Sequence, residues 1–486
     1  PDPVLQQTEN FADSTVSAND CFKPISRFFD RITRPEQIIQ SLPKAMSVLT
    51  DPADCGPVTL SLCQDVQSEA YNFPENFFEP KVWKIRRQPC DFNELENVIK
   101  KINSSKNPLI IVGGGVKYSG AKTELENLIN STGIPFAVTQ AGKSSLDETN
   151  SKFVGSIGVT GSSVANELAK KSDLVISVGS RLQDFTTGSN TLISCEMISI
   201  NVQNHDVVKH KSISLLGDAK VSVKLILERI NNFHISKQYE TEINRLKNLW
   251  EADVVRVTSK SDKNSLPSDS EVIGAVNRNV PKDTIVIGAA GSMPGELHKL
   301  WKSGDVEGYH MEYGFSCMGY EIPAAIGVNL AEPDRPNVIF VGDGSYMMMN
   351  SELSTAVMMG ISTTIIVTDN RGFGCINRLQ KSTGSEPFNN LFKDSHHQKL
   401  PNIDYVLHAK SLGANAEKAN SIEELEDLVE KFINRKEVNV IVIDTDPDQS
   451  TEEGGTWWDV AIPEVSKNQN VKKAFEDYSI FRKKKN

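Results

Sequence analysis

The stretch VIFVGDGSYMMMNSELSTAVMMGISTTIIVTDNRGFG, residues 338–374, carries two candidate strands with a helix between them. Residues 338–341 form an unbroken apolar run that reads as a buried strand, Gly342-Asp343-Gly344 as a turn, 345–360 as a helix, and 364–368 as a second strand ending at Asp369-Asn370. Strand, helix and strand make one crossover unit, whose two strands run parallel. Both then finish on the same edge of a sheet, where doubly wound folds bind ligands, so the pattern brings Asp343 and Asn370 to one place.

The chemistry of that place suits a hard cation beside a diphosphate. Mg²⁺ takes about six oxygens and usually binds through one or two protein groups plus substrate phosphates. The carboxylate of Asp343, the amide oxygen of Asn370 and the backbone carbonyl of Gly372 would fill part of that shell, leaving positions for diphosphate oxygens and water. Gly342 and Gly344 let the backbone approach phosphates, and N–H groups opening a helix near Ser345 favour an anion.

Gly-Asp-Gly alone is a common turn. With a strand before it, a helix after it and DNRG (369–372) closing the second strand, the segment resembles the thiamine-diphosphate signature of the acetolactate synthase and pyruvate decarboxylase superfamily. Upstream, SCMGYEIPAA (316–325) resembles the superfamily segment in which a large apolar side chain wedges the cofactor into a bent shape. The resemblance puts Met318 in that position; without it, an isolated Met reads as a core gap-filler. The bend sets the 4′-imino nitrogen against thiazolium C2, which makes proton removal intramolecular.

Three further strings, YHMEYG (309–314), NRGFGCINRLQ (370–380) and GGTWWDV (454–460), resemble a narrower family, the ring-opening hydrolases of myo-inositol breakdown. That similarity runs essentially end to end. It implies an α/β protein of three doubly wound parallel-sheet domains, thiamine diphosphate and Mg²⁺ as cofactors, and assembly as a homodimer or homotetramer. The implied reaction is hydrolytic C–C cleavage of a cyclic dione substrate, trihydroxycyclohexane-1,2-dione, to 5-deoxyglucuronic acid. His310 and Glu312 are the catalytic candidates for handling water and protons, because an extended strand there would set both on one side. The alternative is a satisfied, partly buried histidine and a surface carboxylate, and Glu321 stands similarly. Two other functions remain open: an acetolactate-synthase-like carboligase acting on pyruvate, and a non-catalytic partner that keeps the fold.

Residues 1–85 resemble the C-terminal half of the pyrimidine-binding domain, with a helix over 34–49 broken at Pro43 and a strand over 56–62. A central α/β region spans 92–235 with strands at 109–112 and 174–178; 236–269 is a connecting segment, helical in its first half. The diphosphate and Mg²⁺ domain covers 270–465, and a basic helical tail 466–486. Eighty-five residues are few for a doubly wound domain of about 150, so the first domain reads as truncated. In the superfamily its front half supplies the glutamate that activates the aminopyrimidine; Glu9 does not match that motif, and no residue here takes the role.

Gly113-Gly114-Gly115 invites a dinucleotide reading, but the spacing to Gly120 is not GxGxxG and no acidic residue follows in the required place. The 486 residues, 38% of them hydrophobic, suffice for two to three soluble domains. A net charge of −11 argues against nucleic acid as a partner, and the basic run at 482–485 reads as a solvated tail. Seven scattered cysteines with no CxxC pair fit free thiols in a reducing cytoplasm and imply no zinc site. No apolar run approaches about 20 residues and no signal pattern opens the chain, so neither membrane nor export is indicated. The adjacent His396 and His397 would diverge in a helix or strand and read as a polar loop.

Overall fold

A computed structural model describes residues 12–13, 16–230, 232–261 and 265–485; Glu9 lies outside them. At the front, β1 (Phe28–Ile32) pairs in parallel with β2 (Val58–Leu62), Phe28 opposite Val58. The helix Ile38–Leu49 joins them and runs through Pro43 without breaking, against the sequence expectation. Ser41 and Ala45 anchor its inner side while Pro43 faces outward. On that solvent side water can take the carbonyl that proline leaves without a partner.

The central sheet is parallel throughout, in the order β5 (Phe153–Ser156), β4 (Phe136–Val138), β3 (Pro108–Val112), β6 (Leu174–Val178), β7 (Glu196–Asn201), β8 (Ile213–Leu216). Every residue of β3 and β6 is buried, as apolar strands covered on both faces must be. The triple glycine after β3 serves this packing. A Cβ at Gly113 would come 2.3 Å from the Gly179 carbonyl oxygen, and one at Gly115 2.7 Å from the Gly179 Cα, so the loops after β3 and β6 touch backbone to backbone.

The third sheet is also parallel, ordered β10 (Tyr309–Met311), β9 (Ile285–Gly288), β11 (Asn337–Gly342), β12 (Thr363–Asp369), β14 (Val438–Asp444), β13 (Asn415–Ala419). Strand order reverses between β9 and β11, which opens a crevice at their carboxyl ends. Along β11 the side chains alternate between two cores, Val338 and Phe340 into one and Ile339 and Val341 into the other. The crossover to β12 is not the continuous helix the sequence suggests. A four-residue turn of helix, Asp343–Tyr346, is separated from Glu352–Met358 by a non-helical stretch. There the Asn350 amide donates to the Met347 carbonyl at 2.8 Å, a local bond that competes with helix.

The connecting segment is the helix Lys237–Thr258, capped by the Ser236 hydroxyl accepting from the Tyr239 N–H. Its Tyr239, Ile243, Trp250 and Val254 complete one hydrophobic core shared by the two larger sheets, with Leu109 and Val175 on the central side and Val286, Val338 and Phe340 on the other. The C-terminal helix Gln469–Lys485 returns to stack Phe481 on Trp457, ring centroids 5.3 Å apart. All seven cysteines are free thiols. Among the described residues, no helix is long and apolar enough to cross a membrane.

Candidate active site

Asp343 follows β11 and Asn370 follows β12, and the pairing of Gly342 with Thr368 sets the two chain ends side by side. Asp343 is 2% exposed. Its Oδ2 accepts the Gly372 N–H at 2.9 Å, whereas its Oδ1 and the Oδ1 of Asn370 are both buried with no hydrogen-bond partner among the described residues. A buried acceptor left so costs about 1–3 kcal/mol, more when charged. Burial, with Asp369 adding like charge, pushes the Asp343 carboxyl up to about 7. Two hard oxygens awaiting a positive partner fit Mg²⁺.

The glycines divide their work. A Cβ at Gly342 would meet nothing within 4 Å, leaving open space beside the cradle, but one at Gly344 would lie 2.5 Å from the Phe373 ring. At Gly344 the packing of Phe373 leaves no room for a side chain. Gly372 sits at φ 143, and a Cβ there would come 2.4 Å from the Asn390 carbonyl oxygen, so this loop closes on the chain before β13 only through a glycine.

Met318 is half-buried on a loop held by several bonds. The Glu312 carboxylate accepts the N–H groups of Phe315 (3.0 Å) and Cys317 (2.6 Å), and the Ser316 hydroxyl donates to the Ala289 carbonyl at 3.0 Å. Gly319, at φ 88, donates its N–H to the Ser345 hydroxyl oxygen at 2.8 Å. Ser345 in turn donates to Glu321, whose carboxylate is 1% exposed and pushed up by burial. The side chain of Ser345 is therefore engaged, and the helix it belongs to is a single turn. Any anion at this point would be held by local N–H groups, not by the dipole of a long helix.

His310 and Glu312 do not share a strand face. β10 ends at Met311, and Glu312 turns into the following loop as above. His310 instead lies with Nε2 2.7 Å from the Tyr320 hydroxyl, its ring stacked on Tyr320, and burial together with Lys117 holds its pKa below the ordinary value. Sequence reasoning missed the Glu321–Ser345 tie; its signal was a lone carboxylate inside the apolar run opening the helix Glu321–Ala331. It also missed the central-sheet turn at 183–185. There the Phe185 ring lies 5.2 Å from Tyr313 and 5.4 Å from Trp458, and the Trp458 indole N–H donates to Asp184 at 3.0 Å. Two of the strings singled out above thus meet over one turn of the central sheet.

Residues 289–443 match the family described as thiamine pyrophosphate enzyme, C-terminal TPP binding domain, and residues 95–227 the corresponding central domain. The chain is 40% identical to the 3D-(3,5/4)-trihydroxycyclohexane-1,2-dione hydrolase of Clostridium tetani, an alignment covering 98% of this chain and 79% of that one. It is 38% identical to the enzymes of the same name from Geobacillus thermodenitrificans (98% and 79% covered) and Bacillus subtilis (98% and 78%). Identity of that degree across nearly the whole chain, on a sheet edge built around Asp343 and Asn370, means that the chain belongs to the 3D-(3,5/4)-trihydroxycyclohexane-1,2-dione hydrolase family of thiamine-diphosphate enzymes.

Proposed function

We propose that the protein opens 3D-(3,5/4)-trihydroxycyclohexane-1,2-dione by hydrolysing the bond between its two carbonyl carbons. One carbon becomes the carboxylic acid and the other the aldehyde of 5-deoxyglucuronic acid, with one water consumed. The observation that carries this reading is the pair of buried, unpartnered oxygens on Asp343 and Asn370 at the ends of adjacent parallel strands. The names of the relatives support the substrate.

In this reading Asp343, Asn370 and the Gly372 carbonyl would hold Mg²⁺, and the open backbone at Gly342 would leave room for the diphosphate. Gly344 and Ser345 shape the turn, through Phe373 and Glu321 respectively. Met318, on its tethered loop, would support the cofactor when it binds. When bound, the cofactor supplies a carbon nucleophile and an electron sink for the cleaved bond. His310, paired with Tyr320, is the residue to which this reading assigns proton transfer, while Glu312 fixes the loop that carries Met318. A cytoplasmic homodimer or homotetramer accompanies this assignment.

The test is release of acid from the cyclic dione by the cofactor-loaded protein. Turnover of pyruvate with release of CO₂, and none of the dione, would replace the hydrolase with a carboligase.

A further inference from the structure

A groove of about 640 Å³ runs between the carboxyl edge of the third sheet and the turn after β6. It adjoins the cofactor cradle: Ser316, two residues before Met318, and Cys375, three residues after Gly372, both line it. Phe185, Tyr313 and Trp458 form an aromatic wall of edge-on rings. The polar groups differ in what they have left to offer. Glu296, 5% exposed, accepts the Thr451 N–H with one oxygen at 3.1 Å, and its other oxygen is buried without a partner. Asp184 is exposed and gives one oxygen to the Trp458 indole N–H. The cations are partly engaged: Arg378 donates to the Pro447 carbonyl at 2.6 Å and Lys299 to the Thr451 carbonyl at 3.1 Å, and each keeps further N–H donors.

Spare acceptor capacity beside an aromatic wall suits a ring that carries several O–H donors and an apolar C–H face. A 2-keto acid, which brings acceptors only, would leave the Asp184 and Glu296 carboxylates unmatched. We infer that this groove is the subsite for the hydroxylated side of a cyclic polyol, and that Asp184 and Glu296 accept its hydroxyls and set the preference for a hydroxylated ring. The inference rests on the proposed reaction for where the carbonyls lie.

Two measurements separate the subsite from the reaction. In calorimetric titration with myo-inositol, a neutral, non-reacting cyclic polyol, Asp184→Asn and Glu296→Gln should each weaken binding by roughly 3- to 10-fold, since the amide oxygen that replaces the charged acceptor still accepts but less strongly. In the cofactor-loaded protein, both should raise KM for the trihydroxylated dione by a similar factor, with values for cyclohexane-1,2-dione, which lacks the hydroxyls, changed less than about twofold. Absence of myo-inositol binding to the parent, unchanged binding in both variants, or equal losses on the two diones would overturn the subsite. If the parent binds cofactor and Mg²⁺ but opens neither dione, the proposed reaction fails, and the inositol titration still decides the groove. Asp184 lies on an exposed turn, so its variant keeps the test valid should Glu296→Gln fail to fold.

Discussion

The hydroxyl of Ser345 lies 2.8 Å from the carboxylate of Glu321, and through this contact the loop that carries Met318 is tied to the turn that carries Asp343. The two halves of the cradle are thereby positioned by one buried pair, which touches neither metal nor phosphate in the arrangement proposed here.

Glu321→Ala should strand the Ser345 O–H donor in a dry site, at about 1–3 kcal/mol for the unsatisfied group. Thermal melting should fall by several degrees and cofactor affinity should drop, whereas Glu321→Gln, which keeps an acceptor oxygen, should retain most of both. Equal behaviour of the two variants would show that the carboxylate does not hold the loop.

Asp343→Ala should reduce Mg²⁺-dependent binding of thiamine diphosphate by on the order of 100-fold, and Asn370→Ala by about tenfold, since the neutral ligand contributes less charge. Calorimetric titration with cofactor and Mg²⁺ reads both. Unchanged affinity in the Asp343 variant would remove the metal assignment.

Gly372→Ala places a methyl group 2.4 Å from the Asn390 carbonyl oxygen, backbone that cannot swing aside. The loop must shift, and the N–H that now reaches Asp343 shifts with it. The expected result is a destabilisation of about 1–3 kcal/mol with weakened cofactor binding, read by denaturant unfolding and titration. A variant as stable and as tight as the parent would mean that the loop has slack the packing does not suggest.

His298 reaches from the third sheet's helix Met293–Leu300 into the central sheet, with Nδ1 3.0 Å from the Thr160 hydroxyl and Nε2 3.3 Å from the Val138 carbonyl. Burial, with Lys143 nearby, lowers its pKa to about 3. An unfolded histidine titrates near 6.5, so between these values the unfolded chain binds a proton that the folded one refuses. The stabilising contribution is complete above about pH 6.5 and falls by about 1.4 kcal/mol for each pH unit below it. Melting curves from pH 7.5 to 5 should therefore decline less steeply for His298→Gln than for the parent. Parallel declines would assign the acid sensitivity elsewhere.

The β11–β12 crossover was legible because its strands are buried on both faces and glycines punctuate the turn, so period, length and turn chemistry all agreed. Asp343 and Asn370 followed from strand ends alone. What stayed hidden was whatever long-range contact decides. Ser345 meets Glu321 across 24 residues and Trp458 meets Asp184 across 274, and neither pairing leaves a local pattern. The interruption after Tyr346 was equally silent, since methionines favour helix and only the Asn350 side chain and the close approach of Gly319 to Met349 turn the backbone aside. Pro43 misled for the opposite reason: a strong local signal was overruled by the side of the helix on which it fell.

The single core shared by the two larger sheets also determines how the groove can exchange its contents. Prising them apart would bring side chains such as Ile243, Trp250 and Val254, on the helix that lies between them, into water, at roughly 1.5–3 kcal/mol for each large one, far above thermal energy. The walls behave as one casting, so the bore between them is fixed before any substrate arrives. Loading it resembles passing a ring into a socket of set diameter more than closing a hand around it.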